Sequence, residues 1–183
     1  MTRFGYQLQL TFKRLILRNL KFFFFNLILP LIFYLLFTKI MTIDMPKEAL
    51  VVWKENYLIS MMLYSMLLSA VISISNTLHD DNTQHFTLFI ELTPAPKIYY
   101  YFSTLLVFIC MSSLSTLGLG LFGILVNHVS FSLLSWAFLI FILPIIASPM
   151  MLIGIMISFS GSSNVINLLS NLIVFPTAIL SGL

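Results

Sequence analysis

The sequence predicts an all-α, polytopic helical membrane protein with one N-terminal interfacial amphipathic helix followed by five transmembrane helices. Three observations carry that expectation. All fifteen formal charges fall within the first 97 residues, so the 86 positions from 98 to 183 contain no Asp, Glu, Lys or Arg. Apolar residues make up 60% of the chain and charged residues only 8%, a balance foreign to water-soluble domains. Five apolar stretches also approach the ~20 residues that a helix needs to cross the hydrocarbon core. An ionised side chain at the bilayer centre costs roughly 3 kcal/mol on insertion scales, so the hydrocarbon core selects long uncharged runs of this kind.

Taken in order, residues 1–21 carry Arg3, Gln7, Thr11, Arg14, Arg18 and Lys21 at three- and four-residue spacing, which makes one polar helical stripe. Phe4, Leu8, Phe12 and Leu15 form an apolar stripe beside it. Such a helix lies in the headgroup plane, with Arg3, Arg14, Arg18 and Lys21 anchoring it at the membrane interface of the lipid bilayer. The five spans are expected at about residues 22–41, 57–78, 99–126, 131–159 and 165–183. No small-residue cleavage site follows the first, so it reads as a retained helix and not a signal peptide. Five cations precede it against three, Lys39, Lys47 and Lys54, in the loop after it. The excess of cations places the N-terminus in the cytoplasm, with residues 42–56 and 127–130 outside and 79–97 and 160–164 inside; the expected location is the cell membrane of a bacterium. Pro30, Pro144, Pro149 and Pro176 predict kinks. Gly118, Gly120 and Gly123, with Ser112, Ser113 and Ser115, give the third span a small-residue face for close helix approach. The whole chain, 1–183, reads as a single transmembrane domain.

Several chemistries are absent from the sequence. An ion-driven transporter would need an acidic residue or His at membrane depth, and none of the five spans has one. His128 falls in a short outer turn, and the lone Cys110 sits in an apolar run as a core residue. No phosphate-binding G-x-x-x-x-G-K-[ST] loop exists, so the chain is not itself an ATPase, and no Gly-x-Ser-x-Gly supports a hydrolase. No catalytic residue, metal ligand or cofactor site is assigned. Energy would have to arrive from a separate subunit.

The one cytoplasmic segment long enough to receive such a partner, apart from the N-terminal helix, is residues 79–97, HDDNTQHFTLFIELTPAPK. Asp80, Asp81, Asn82 and Thr83 read as N-terminal caps of a short helix, Phe86, Phe89 and Ile90 as its inner face, and Pro94 as its stop. Thr83, Gln84, Thr87 and Glu91 would face a protein partner. A metalloenzyme built on His79, Asp80, Asp81 and His85 is a competing reading of the same residues.

The order of these features resembles the permease subunit of a type-2 ABC transporter over essentially the whole chain. The resemblance rests on the basic amphipathic helix before the first span and an acidic-start cytoplasmic segment ending in Glu91-Leu92-Thr93-Pro94. It rests also on Phe175-Pro176 followed by Leu180-Ser181-Gly182. The family's Gly-Thr pair is missing from the segment, where Asn82, His85, Phe86 and Leu88 depart from the pattern. The resemblance implies six helices, of which the last is lacking here, pointing to a fragment or a degenerate product. It further implies a separate ABC ATPase subunit, a second permease copy, and ATPase docking through Asp81, Gln84, Phe86, Phe89, Glu91, Thr93 and Pro94. The expected function is export of an amphipathic or apolar substrate, of the drug, peptide or lipid class, across the cell membrane. A non-transporting membrane scaffold or immunity-type interaction protein is the alternative.

Overall fold

In the computed structural model, residues 3–17, 24–40, 46–92 and 96–180 are described, and among them every regular element is helical. Helix α1 spans Arg3–Phe12 and widens into a π-helical turn at Lys13–Leu17. A second π-turn, Phe24–Ile28, leads into α2, Leu29–Lys39. Helix α3, Lys47–Leu67, continues through a π-turn at Leu68–Ser73 into α4, Ile74–Thr83. The short α5, Phe86–Glu91, precedes the long α6, Lys97–Asn127. Then come α7, Leu133–Ala137, a π-turn at Phe138–Ile142, α8, Leu143–Ile146, α9, Ser148–Ser158, and α10, Ser163–Leu180.

Among the described residues, four stretches are long and apolar enough to cross a membrane: Ala49–Thr83, Lys97–Asn127, Leu133–Ser158 and Ser163–Leu180. The shorter apolar helix Asn26–Lys39 covers most of the expected first span. The architecture is therefore that of a polytopic helical membrane protein. The first of the four long stretches is its spine, with 67% of its most apolar window buried against 22% for each of the last two. Its residues enter all three apolar clusters: Ile74 and Leu78 with Leu15, Tyr100 and Met151; Leu58 and Met62 with Tyr34 and Leu119; Leu68 and Val71 with Ile166 and Val174. Lipid tails are as apolar as Leu, so tight van der Waals fit rather than water exclusion holds such helices together. Gly154 shows the fit at its closest: an added Cβ would lie 2.4 Å from the Ala70 carbonyl oxygen in the spine's π-turn.

Several expectations need correction. The expected outer loop is helical from Lys47, where α3 begins behind Pro46 and adds almost three turns to the expected second span. The fourth span stands as one stretch, Leu133–Ser158, with a turn at Ala147 between Pro144 and Pro149, where the prolines predict kinks, whereas α10 runs on through Pro176. The glycines of α6 do not serve one neighbouring helix. Gly118 accommodates Leu27, Gly120 accommodates Trp136 and Met62, and Gly123 accommodates Leu58.

The side-chain pairs sort the helix ends into two layers. At one layer Arg14 reaches Asp81, Tyr100 reaches Asp81 and His79 reaches Ser163, which gathers the ends of α1, α4, α6 and α10. At the other, Asn127 Nδ2 donates to Thr38 Oγ1 at 3.1 Å, joining the far ends of α6 and α2. The chain therefore alternates between the two layers, as the expected spans require.

Candidate functional site

The segment singled out in the sequence lies at the corner between α4 and α5. Asp80, Asp81, Asn82 and Thr83 do not cap α5 from its front; they form the last turn of α4. Asp, Asn and Thr favour helix ends of either kind through their short polar side chains, and here the residues after them decide. Gln84 leaves the helix, and His85 adopts the left-handed conformation at φ 57°, which reverses the chain. A non-Gly residue in that conformation is uncommon, so nothing in the sequence marks the stop. Leu88 N–H then donates to the His85 carbonyl at 3.1 Å, opening α5.

Asp81 is the centre of the corner. It is buried, and Arg14 grips it from α1's π-turn with both arms of the guanidinium, Nη1 to Oδ1 at 2.5 Å and Nη2 to Oδ2 at 2.6 Å. Tyr100, from the first turn of α6, donates its hydroxyl to Oδ2. The same guanidinium stacks 4.2 Å from the centroid of the Phe86 ring, and Phe86 in turn meets Tyr100 at 6.2 Å. A buried carboxylate is tolerable only when its lone pairs and charge are answered, and these three donors answer them. Four elements thus meet on one charge.

This arrangement revises the two roles read from the sequence. Asp81, expected on a partner-facing surface, and Arg14, expected at the headgroups, are joined to each other. The polar stripe of α1 turns partly inward: Thr11 is buried, while Phe12 of the apolar stripe, with Tyr6 and Leu10, is exposed. Phe4 keeps its inward role, edge-on to Tyr99 at 5.7 Å. Of the docking residues, Gln84 is exposed, Phe86 is half-buried, and the side chains of Phe89 and Glu91 lie outside the described residues, as do Thr93 and Pro94. Arg18 and Lys21 and the Arg3 side chain lie outside them too. Thr83 and Gln84 face outward as expected, and Leu88 is 51% exposed beside them. Thr87 is half-buried and donates to Asn82 Oδ1 at 3.0 Å. A cavity of about 170 Å³ opens nearby, lined by Asn82, Thr87, Ile90, Tyr100 and Tyr101 among others. The four residues weighed as metal ligands are dispersed: His79 Nε2 pairs with Ser163 Oγ at 3.0 Å, Asp81 with Arg14, and Asp80 and His85 are exposed. No cluster of three metal-ligating side chains occurs among the described residues.

Two features escaped the sequence reading. Tyr100 carries no role in the sequence reading, although its place three residues into α6, opposite an acidic helix end, is where a donor is useful. The second is a polar seam between α4 and α10: Ser75 with Ser170 at 3.0 Å, Asn76 with Asn167 at 3.1 Å, and His79 with Ser163. On α10, Asn164, Asn167 and Asn171 remain exposed, and Asn171 lies ~12 Å along the helix axis from Ser163 at 1.5 Å per residue. Their i, i+3, i+7 spacing was visible in the sequence as a stripe.

Neither the protein-family profiles nor the solved structures match this chain. Among curated proteins it is similar to "Putative transport permease YvfS" of Bacillus subtilis (strain 168), with 29% identity over 121 residues, 66% of this chain and 49% of that protein. The chain spans about half the length of the curated relative it matches. Alongside that similarity stand the four helices, among the described residues, that are long and apolar enough to cross a membrane, so the chain has the build of a multi-pass membrane protein.

Proposed function

We propose that the chain is the membrane subunit of an ATP-driven exporter of the type-2 ABC class, working with a separate ATPase subunit and a second permease copy. The observation that carries the reading is the α4–α5 corner, which is pinned to the bundle by a buried ion pair while Gln84, His85 and Leu88 stand exposed. An element that is rigid on its inner side and free on its outer side suits the transfer of a push from a docked ATPase into the spine helix. Gln84, Phe89, Glu91, Thr93 and Pro94 belong to that docking surface, with Phe86 behind it.

The exposed asparagines of α10 fit the same reading. An amide left against hydrocarbon is costly, so a face carrying Asn171, ~12 Å along α10 from Ser163, suits a second copy or a hydrated path better than lipid. A substrate with both apolar and hydrogen-bonding parts would suit such a face. In this scheme the corner is cytoplasmic, the chain is in the bacterial cell membrane, and the basic N-terminal helix lies on the inner leaflet.

The test is reconstitution of the full-length protein in proteoliposomes with and without the ATPase that purifies with it. Transport should require ATP and that subunit, and Gln84→Ala with Leu88→Ala should uncouple hydrolysis from transport. Transport by the permease without any ATPase would end the proposal.

A further inference from the structure

We propose that Arg14, Asp81 and Tyr100 form an internal lock through which α1 positions α5, so that the N-terminal helix and the α4–α5 corner move as one unit. The lock rests on the exporter reading only for what it transmits. Its geometry stands on its own.

Three observations lead to it. First, α5 has only six residues, too few to hold a helix or an orientation by itself, and the left-handed joint at His85 severs it from the hydrogen-bond ladder of α4. Second, a single side chain from α1 touches both sides of that joint. The Arg14 fork takes both oxygens of Asp81 before it, and the guanidinium face covers the Phe86 ring after it. Only a planar, bidentate cation fixes two elements in this way, and a lysine ammonium would supply the charge without the plane. Third, a buried ion pair is a poor device for stability alone, because apolar side chains of equal volume do as well or better. Fixing a register or an orientation is the better-attested use of such a pair. Here the register is between α1, which leads towards the α2 span, and α5. Arg14 and Asp81 are thereby positioning residues, and what the corner offers a partner is Gln84, His85, Leu88 and Leu92, all exposed.

The experiment is backbone hydrogen exchange on the full-length chain in nanodiscs of phosphatidylglycerol and phosphatidylcholine. Arg14→Gln and Asp81→Asn should each speed exchange of the α5 amides by about tenfold while the middle of α6 is unchanged. The double variant should be no faster than either single one, because both remove one interaction. Arg14→Lys should stay close to Arg14→Gln. Tyr100→Phe, which removes one donor and keeps the ring, should speed exchange only twofold to threefold, because the Arg14 fork still answers the carboxylate, and serves if Asp81→Asn does not fold. Unchanged α5 exchange in Arg14→Gln, additive effects in the double variant, or wild-type protection in Arg14→Lys would overturn the lock. The exchange is read on this chain alone. An absent ATPase partner would therefore remove the exporter proposal and leave the lock intact, whereas a failed lock would leave ATP-dependent transport untouched.

Discussion

Asp81 is the residue on which most depends, since three hydrogen bonds from two elements converge on its carboxylate. Asp81→Ala would strand the Arg14 guanidinium in a mostly buried site, and should cost about 3 kcal/mol, read as a lowered unfolding midpoint in detergent micelles. Replacing both partners by Asp81→Leu and Arg14→Met should recover most of that loss. At Gly154 the neighbour is backbone, the Ala70 carbonyl, which cannot rotate aside. Gly154→Ala should therefore cost roughly 1–3 kcal/mol in the same measurement. Both Arg14 and Asp81 stood out in the sequence, but in separate roles. Their pairing spans 67 positions, and a lone Arg in a basic stripe carries no mark of an acidic partner that far away. Asp80–Thr83 misled for a local reason, because the same side chains suit either end of a helix, and the left-handed turn fell on a histidine where glycine or asparagine would have signalled it.

At the scale of elements, apolar run length located most of the bundle, since hydrocarbon thickness constrains it directly. The run could not show where the spine begins: α3 extends to Lys47 through Lys54, Glu55 and Asn56, which interrupt the apolar run but not the helix. Nor could periodicity orient α1, whose cations are expected at the headgroups, whereas Arg14 finds its partner inside at Asp81. The α4–α10 seam is likewise a matter of neighbours. Its Ser and Asn residues are individually ordinary, and only the packing pairs Ser75 with Ser170 and Asn76 with Asn167. A double-mutant cycle on Ser75→Ala and Ser170→Ala should give a coupling of about 0.6 kcal/mol, the usual worth of a hydrogen bond between membrane helices. A coupling of zero would mean that the Ser75–Ser170 pair adds nothing to the contact between α4 and α10.

For the whole molecule, the alternation of helix ends makes a topological statement. In a Cys110→Ala background, single cysteines at Gln84 and at His128 should label from opposite sides of intact cells with a membrane-impermeant maleimide. His128 should react from outside and Gln84 only after permeabilisation. Labelling of both from one side would break the alternating order. The central claim is that the α4–α5 corner receives an ATPase, and it is tested most directly by purifying the full-length protein from its native membranes and measuring bound ATP hydrolysis for the wild type and for Leu88→Asp. The account predicts ATPase activity with the wild type and at least a tenfold loss with Leu88→Asp at unchanged thermal stability, as a buried charge at a docking surface would cause. Equal activity in both, or none with the wild type, would contradict it.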